Sequence, residues 1–275
     1  FMTVLNFIRA FVYGVIQGIT EWLPISSTGH LILANEIPFF KLDGISQDFF
    51  NMFIVVIQLA SILAVILIYF NKLNPFSKHG LKKDTMQMWF KVIIGVIPAA
   101  VAGFLLDDFI SGYINDNPFV IAAALIVYGV LFIVIENRKR QPKIDSIDSL
   151  TYKTALLIGV FQVLALIPGT SRSGSTILGA IILGTSRTVA AEFSFFLAIP
   201  VMFGASFLKL VKYGFAFTQP ELFVLIVGFL TSFAVSYFAI KFLVSYIKKH
   251  DFKAFGYYRI VLGIVVILYF WLFNA

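Results

Sequence analysis

Runs of uncharged, apolar residues recur along the whole chain, among them Met52–Phe70, Val92–Leu106 and Ile260–Phe273. A helix of about 20 mostly apolar residues crosses the hydrocarbon core of a bilayer, so this pattern restricts the fold more than any other feature. A soluble core can be equally apolar, but it would not spread such runs from end to end. Charge agrees: 13% of the 275 residues are charged, where soluble domains carry about 25%, and the mean hydropathy is +0.94. Breaks in the pattern delimit six long spans, at about 50–70, 87–107, 118–136, 189–211, 221–246 and 255–273. The expectation is an all-α integral membrane protein.

Two further apolar regions, 3–36 and 151–183, do not read as simple spans. The first is interrupted by Pro24-Ile-Ser-Ser-Thr-Gly-His30, the second by Pro168-Gly-Thr-Ser-Arg-Ser-Gly-Ser-Thr176. Each is two short helical pieces around a polar centre, and such pieces suit re-entrant segments better than full spans. Irregular backbone at membrane depth survives only where protein or a wet cavity satisfies it. The two regions also resemble each other: Gly14-Val-Ile-Gln17 recurs as Gly159-Val-Phe-Gln162, and later Gly95 keeps step with Gly228 and Gly129 with Gly263. Each half then holds one re-entrant helical hairpin and three transmembrane helices, with repeat 1 at about 3–136, a cytoplasmic linker at about 137–150 and repeat 2 at about 151–273 of a single membrane domain. Three is odd, so the second half enters from the opposite side. That is an inverted-topology repeat, which tends to place binding sites between its halves.

Loop charge fits this sorting. The loops 71–86, 137–153, 184–188 and 247–254 fall on one side with Lys72, Lys78, Lys82, Lys83, Arg138, Lys139, Arg140, Lys143, Arg187, Lys248, Lys249 and Lys253. The other side holds Asp43, Asp48, Asp107, Asp108, Asp116 and Glu221 against Lys41 and Lys212. The basic side is expected to be cytoplasmic, with both termini outside. The same rule accounts for the net charge of +7 without nucleic acid, which is not expected as a partner. No cleavable signal is expected, because the N-terminal stretch lacks a basic n-region followed by a small-residue cleavage site. The absence of cysteine excludes disulfides and thiolate chemistry.

The chemistry-bearing residues sit in the two interruptions. Gln17 and Glu21 lie four apart and share a helix face; Pro24 is expected to end that piece, Ser26 or Ser27 to cap the next, and His30 to fall in its first turn. A charge at membrane depth is expensive and by default functional, which singles out Glu21. His30 stands apart from His79 and His250, which lie in basic loops. In the second interruption, small residues allow backbone N–H groups to face an anion at a helix start. Arg172 adds a planar donor fork suited to phosphate oxygens, with Ser171, Ser173 and Thr176 as further donors. This is not a Walker loop, which needs Gly-x-x-x-x-Gly-Lys-Ser/Thr. Ser-Thr-Gly-His and Ser-Arg are in the order of the type-2 phosphatidic acid phosphatases, but the second His of that pattern is absent. Together the halves offer an acid, possible nucleophiles in Ser27 and His30, and an anion clamp, the combination that phosphoryl transfer requires.

Gln17-x-x-x-Glu21 leading into Pro24-Ile-Ser-Ser-Thr-Gly-His30, followed by Pro168-Gly-Thr-Ser-Arg-Ser-Gly-Ser-Thr176, closely resembles the bacterial undecaprenyl-pyrophosphate phosphatase (bacitracin-resistance) family. The resemblance extends to Gln58-Leu59 and Glu192-Phe-Ser-Phe and covers essentially the whole chain. It implies removal of the terminal phosphate from a C55 isoprenoid pyrophosphate lipid, recycling the carrier for cell-wall synthesis in the bacterial inner membrane. It also implies a divalent cation, Mg2+ or Ca2+, and a site open to the outer face. The family's first motif is Glu/Gln-x-x-x-Glu, so with Gln17 here the metal rests on Glu21 and the substrate's phosphates. The mechanism expected has Ser27 as nucleophile, with His30 and Glu21 activating it or organising the metal, and direct attack by His30 as the rival. Arg172, Ser171, Ser173 and Thr176 hold the pyrophosphate, with Gln17, Ser26 and Thr28 lining its site. One other class stays open, a lipid-phosphate flippase or anion transporter on the same repeat; a structural scaffold fails to account for Glu21, His30 and Arg172. The sequence is compatible with a homodimer and does not set the oligomeric state.

Overall fold

The computed structural model describes residues 2–77, 80–113, 117–138, 140–214 and 217–273. Lys78, His79, Asp116 and Lys139 lie outside the described residues, as do the side chains of Asp107 and Asp108. Eleven helices appear among the described residues: α1 (Met2–Thr20), α2 (Ser27–Glu36), α3 (Gln47–Ile68), α4 (Phe70–Leu73), α5 (Lys83–Tyr113), α6 (Pro118–Asn137), α7 (Tyr152–Val163), α8 (Arg172–Ile182), α9 (Arg187–Tyr213), α10 (Gln219–Ile247) and α11 (Lys253–Phe273). Six of them, α3, α5, α6, α9, α10 and α11, are long and apolar enough to cross a membrane, in the six places the apolar runs indicate. The exterior carries Phe104, Leu208, Phe238 and Trp271, while Ser61, Ser232 and Ser236 are buried. Apolar outside and small polar inside is what a lipid solvent selects, since helices there gain from close approach and interhelical hydrogen bonds. The chain is an all-α integral membrane protein.

Both interruptions are breaks between short helices. α1 stops at Thr20, sooner than Pro24 itself, because a proline lacks the N–H that would bond the carbonyl four residues back and its ring clashes there. The chain turns through residues 21–25, and Ser26 caps α2 by accepting a hydrogen bond from the Gly29 N–H. In the second region a 3-10 turn, Leu164–Leu166, follows α7, and Ser171 caps α8 by accepting from the Gly174 N–H. Ser26 (φ 74°) and Ser171 (φ 70°) are the only non-glycine residues with positive φ among the described residues. The left-handed region costs an L-residue roughly 1–2 kcal/mol, so the same strain sits at the same point of both breaks.

Close helix contacts come in matched pairs. α1 packs on α10 and α7 packs on α5, while α3 meets α9 and α6 meets α11. A Cβ on Gly14 would lie 2.8 Å from the Gly228 carbonyl oxygen, and one on Gly159 would collide with the Gly95 carbonyl. Likewise a Cβ on Gly129 would meet the Gly256 oxygen and Ile260, and one on Gly263 would meet the Ala122 oxygen and Ile126. Small residues at these crossings let the backbones touch.

Polar contacts gather the loops at two ends. At one end Arg187 at the start of α9 pairs with Glu136 at the end of α6, and Glu136 also accepts from the Phe252 N–H. Lys72 pairs with Glu192, Lys91 donates to the Ile147 and Asp148 carbonyls, and Ile144 bridges to Thr185. These are the basic loops. At the other end Arg9, buried in α1, bonds Asp43 at 2.6 Å and the Phe39 carbonyl, and Tyr213 donates to Glu221.

Gly159→Val is expected to separate α7 from α5, since overpacking a tight contact costs about 1–3 kcal/mol or more. Gly204→Ala, at a position with nothing within 4 Å, is expected to be silent. Thermal unfolding of the detergent-solubilised protein checks this: a lowered midpoint for the first and an unchanged one for the second.

Candidate active site

The turn after α1 and the start of α8 meet inside the bundle. Glu21, 6% exposed, sits at the centre. Its Oε1 accepts from Arg172 Nη2 at 3.0 Å, and its Oε2 accepts from Gln17 Nε2 at 3.0 Å and from the Ser27 hydroxyl at 2.9 Å. One carboxylate from the first half thus holds the candidate nucleophile and the guanidinium of the second half. The Gln17 amide is oriented by this contact, because a flipped amide would set its oxygen against the carboxylate. Its Oε1 is left buried with no partner among the described residues.

Arg172 is fixed on three sides. Nη1 donates to the Ser194 carbonyl at 2.8 Å and its hydroxyl at 3.3 Å, and the guanidinium lies 5.7 Å from the Trp22 ring centroid. Among the described residues its Nε has no acceptor, nor has the indole N–H of Trp22. Both donors are buried, where an unpaired donor costs about 1–3 kcal/mol, so a hydrogen-bond acceptor brought to them would be stabilising.

The remaining hydroxyls are struts. Ser173 donates to the Glu21 carbonyl at 3.1 Å, and Thr176 donates to the Arg172 carbonyl at 2.9 Å and pairs with Ser194. Ser171 pairs with Ser173. In this arrangement Ser173 and Thr176 hold the turn and the arginine, and Ser26 is a helix cap. Thr28 is exposed and lines a cavity of about 700 Å³ with Asn35, Asn51, Gln58, Pro168 and Lys209. This cavity lies toward the less basic end and runs up to both breaks.

His30 faces elsewhere. Its Nδ1 lies 2.7 Å from the Ser26 carbonyl, which can only accept, so a neutral ring carries its proton there. Nε2 then accepts from the Tyr258 hydroxyl at 2.6 Å, and the two rings stack with 6° between their planes. Among the described contacts His30 touches neither Ser27 nor Glu21.

Two residues of the site carry little local signal in the sequence. Ser194 lies inside Glu192-Phe-Ser-Phe, a segment marked in the sequence only by the family resemblance, and Glu192 itself pairs with Lys72 at the basic end. Arg259 is fully buried in α11 and donates to the Pro24, Gly169 and Thr170 carbonyls at 2.8–3.1 Å. It ties the two breaks together, and its guanidinium lies over the Tyr128 ring. An arginine at the head of an apolar run is itself a signal at membrane depth.

No group of three or more His, Cys, Asp or Glu side chains that could hold a metal occurs among the described residues. Glu21 and the open Gln17 oxygen do supply hard oxygen donors, and Mg2+ is commonly held by one or two carboxylates together with substrate phosphates. The donor set fits a cation shared with a phosphorylated ligand.

The Bacitracin resistance protein BacA family model matches residues 10–265. An undecaprenyl-diphosphatase of Acetivibrio thermocellus is 59% identical over 271 residues, covering 97% of this chain and 98% of the relative. Undecaprenyl-diphosphatase 1 of Clostridioides difficile is 58% identical over 273 residues, with 98% of each chain covered. An undecaprenyl-diphosphatase of Enterococcus faecalis is 55% identical over 271 residues, covering 96% and 97%.

Arg259→Met keeps the bulk and removes the donors. Each carbonyl left buried and unpaired costs about 1–3 kcal/mol, so the variant is expected to unfold at a lower temperature and to lose turnover. Thermal unfolding and phosphate-release assays on the purified variant measure both.

Proposed function

The chain belongs to the Bacitracin resistance protein BacA family, and from that premise and the geometry around Glu21 we infer that it is an undecaprenyl-diphosphatase. It takes a polyisoprenoid pyrophosphate lipid in a membrane and removes the terminal phosphate. The observation that carries the reading is the hydrogen bond from Ser27 to Glu21, with Arg172 on the other carboxylate oxygen.

In the mechanism proposed, Ser27 Oγ attacks the terminal phosphorus while Glu21 Oε2 takes its proton. The bond from that phosphorus to the bridging oxygen breaks, and its electron pair leaves with the lipid phosphate, which takes the proton from Glu21. Water then attacks the phosphoserine with Glu21 as base; Glu21 returns that proton to Ser27 Oγ, and inorganic phosphate departs. Arg172 and the Trp22 indole N–H meet the equatorial oxygens, where developing charge needs donors already in place. Glu21 and the Gln17 carbonyl oxygen would hold Mg2+ or Ca2+ jointly with the pyrophosphate. Bound there, the cation neutralises phosphate charge. The engagement of both His30 nitrogens supports a positioning role for that ring rather than attack.

The two halves form an inverted-topology repeat; the matched glycine contacts and the paired strained caps Ser26 and Ser171 support it. With the basic loops in the cytoplasm, both termini lie outside and the cavity beside Thr28 opens to the outer face of a bacterial cytoplasmic membrane. Carrier lipid would be recycled there for cell-wall synthesis.

The pure protein in detergent, where no second compartment exists, is expected to release one inorganic phosphate per pyrophosphate lipid; a transporter would release none. Rapid quenching with substrate labelled in the terminal phosphate is expected to leave label on Ser27, whereas label on His30 would reassign the nucleophile. Gln17→Leu is expected to shift the cation dependence of turnover to higher concentration, and an unchanged dependence would remove Gln17 from the cation's ligands.

A further inference from the structure

A second cleft, of about 540 Å³, opens at the basic end of the bundle. Four cationic residues line it from three separate segments: Arg138 and Arg140 after α6, Arg187 at the start of α9, and Lys248 at the end of α10. Its one carboxylate, Glu136, is already taken by Arg187 and the Phe252 N–H. Arg140 donates to the Ile182 carbonyl at 3.2 Å. Arg138 and Lys248 are exposed and have no partner among the described residues. Thr185, which also lines the cleft, is 4% exposed and its hydroxyl has no partner among the described residues. The cleft contains the N-terminus of the 27-residue helix α9, where Ser186 caps the Val189 N–H and the helix dipole favours an anion.

Positive-inside sorting asks only that loops carry basic residues; it does not ask that three of them without a carboxylate partner, Arg138, Arg140 and Lys248, converge on one concavity whose own carboxylate is bonded to Arg187. We propose that this cleft is a second phosphate-binding site, which takes the phosphate head group of an anionic membrane lipid. The apolar floor of Ile135, Ile181, Ile182 and Ile247 favours a lipid over the free ion, because it can cover the first carbons beside the head group. The site is separate from the one at Glu21. The helix α8 runs between them, from Arg172 to Ile182, and its 11 residues span about 16 Å at 1.5 Å each.

The test compares wild type with the double variant Arg138→Gln/Lys248→Gln, which removes no side-chain hydrogen bond or ion pair among the described residues, and with a control of equal charge loss at exposed lysines of the same end, Lys153→Gln/Lys249→Gln. Each purified protein is titrated in detergent with phosphatidic acid and, separately, with inorganic phosphate. Wild type is expected to bind phosphatidic acid saturably, the cleft variant about tenfold or more weakly, as loss of charge-assisted contacts implies, and the control as wild type. Phosphate release from the pyrophosphate lipid is expected to stay unchanged in both variants. Variant-sensitive binding of inorganic phosphate alone would keep the anion site and overturn its lipid ligand. Binding unaffected by the cleft variant, or weakened equally by the control, would overturn the site itself.

Discussion

A carboxylate and a guanidinium taken out of water each carry a penalty of several kcal/mol, and removing one partner of such a pair leaves the other uncompensated. Glu21 and Arg172 meet at 3.0 Å inside the bundle, one on the turn after α1 and the other on the first residue of α8. Their contact therefore depends on both helix breaks, and both breaks depend on it. Glu21 has the Arg172 guanidinium on one oxygen and the Ser27 hydroxyl and Gln17 amide on the other. Without the arginine the carboxylate would face the serine as an unpaired buried charge; without the carboxylate the arginine would keep only Ser194 and the face of Trp22.

The breaks are costly in a second way. Irregular backbone within a bilayer exposes carbonyls that only protein can satisfy, and each break adds a serine with positive φ. Arg259 reaches the carbonyls of both breaks from α11, and Ser173 reaches across to the Glu21 and Leu23 carbonyls. Side chains from one half thus satisfy the broken backbone of the other. Strain of this kind persists where surrounding structure over-determines it, and here it aims Ser27 and Arg172, each one residue past a strained cap, at the same carboxylate.

The six spans and the two broken regions were legible because apolar run length and interrupting prolines act locally and depend on no partner. Glu21, Ser27 and Arg172 were legible through the cost of charge at membrane depth and through the resemblance. Which groups touch was not. The sequence puts Ser27 beside His30, yet helix geometry turns the imidazole toward Tyr258, 228 residues away, and leaves Glu21 as the serine's partner. Ser173 and Thr176 read as free donors because nothing local shows that the Glu21 and Arg172 carbonyls will claim them. Arg259 lies within an apolar run and resembles part of a simple span, although the membrane cost of a charge applies to it as to Arg172.

If the two halves act as one site, Glu21 and Arg172 share a single energetic role. A double-mutant cycle on kcat/KM for phosphate release, with Glu21→Gln, Arg172→Gln and the pair combined, measures that coupling directly. The contact predicts a double variant no worse than the poorer single one. Losses that add independently would mean the two residues do not act together, and the account of a phosphatase site built across the halves would fail.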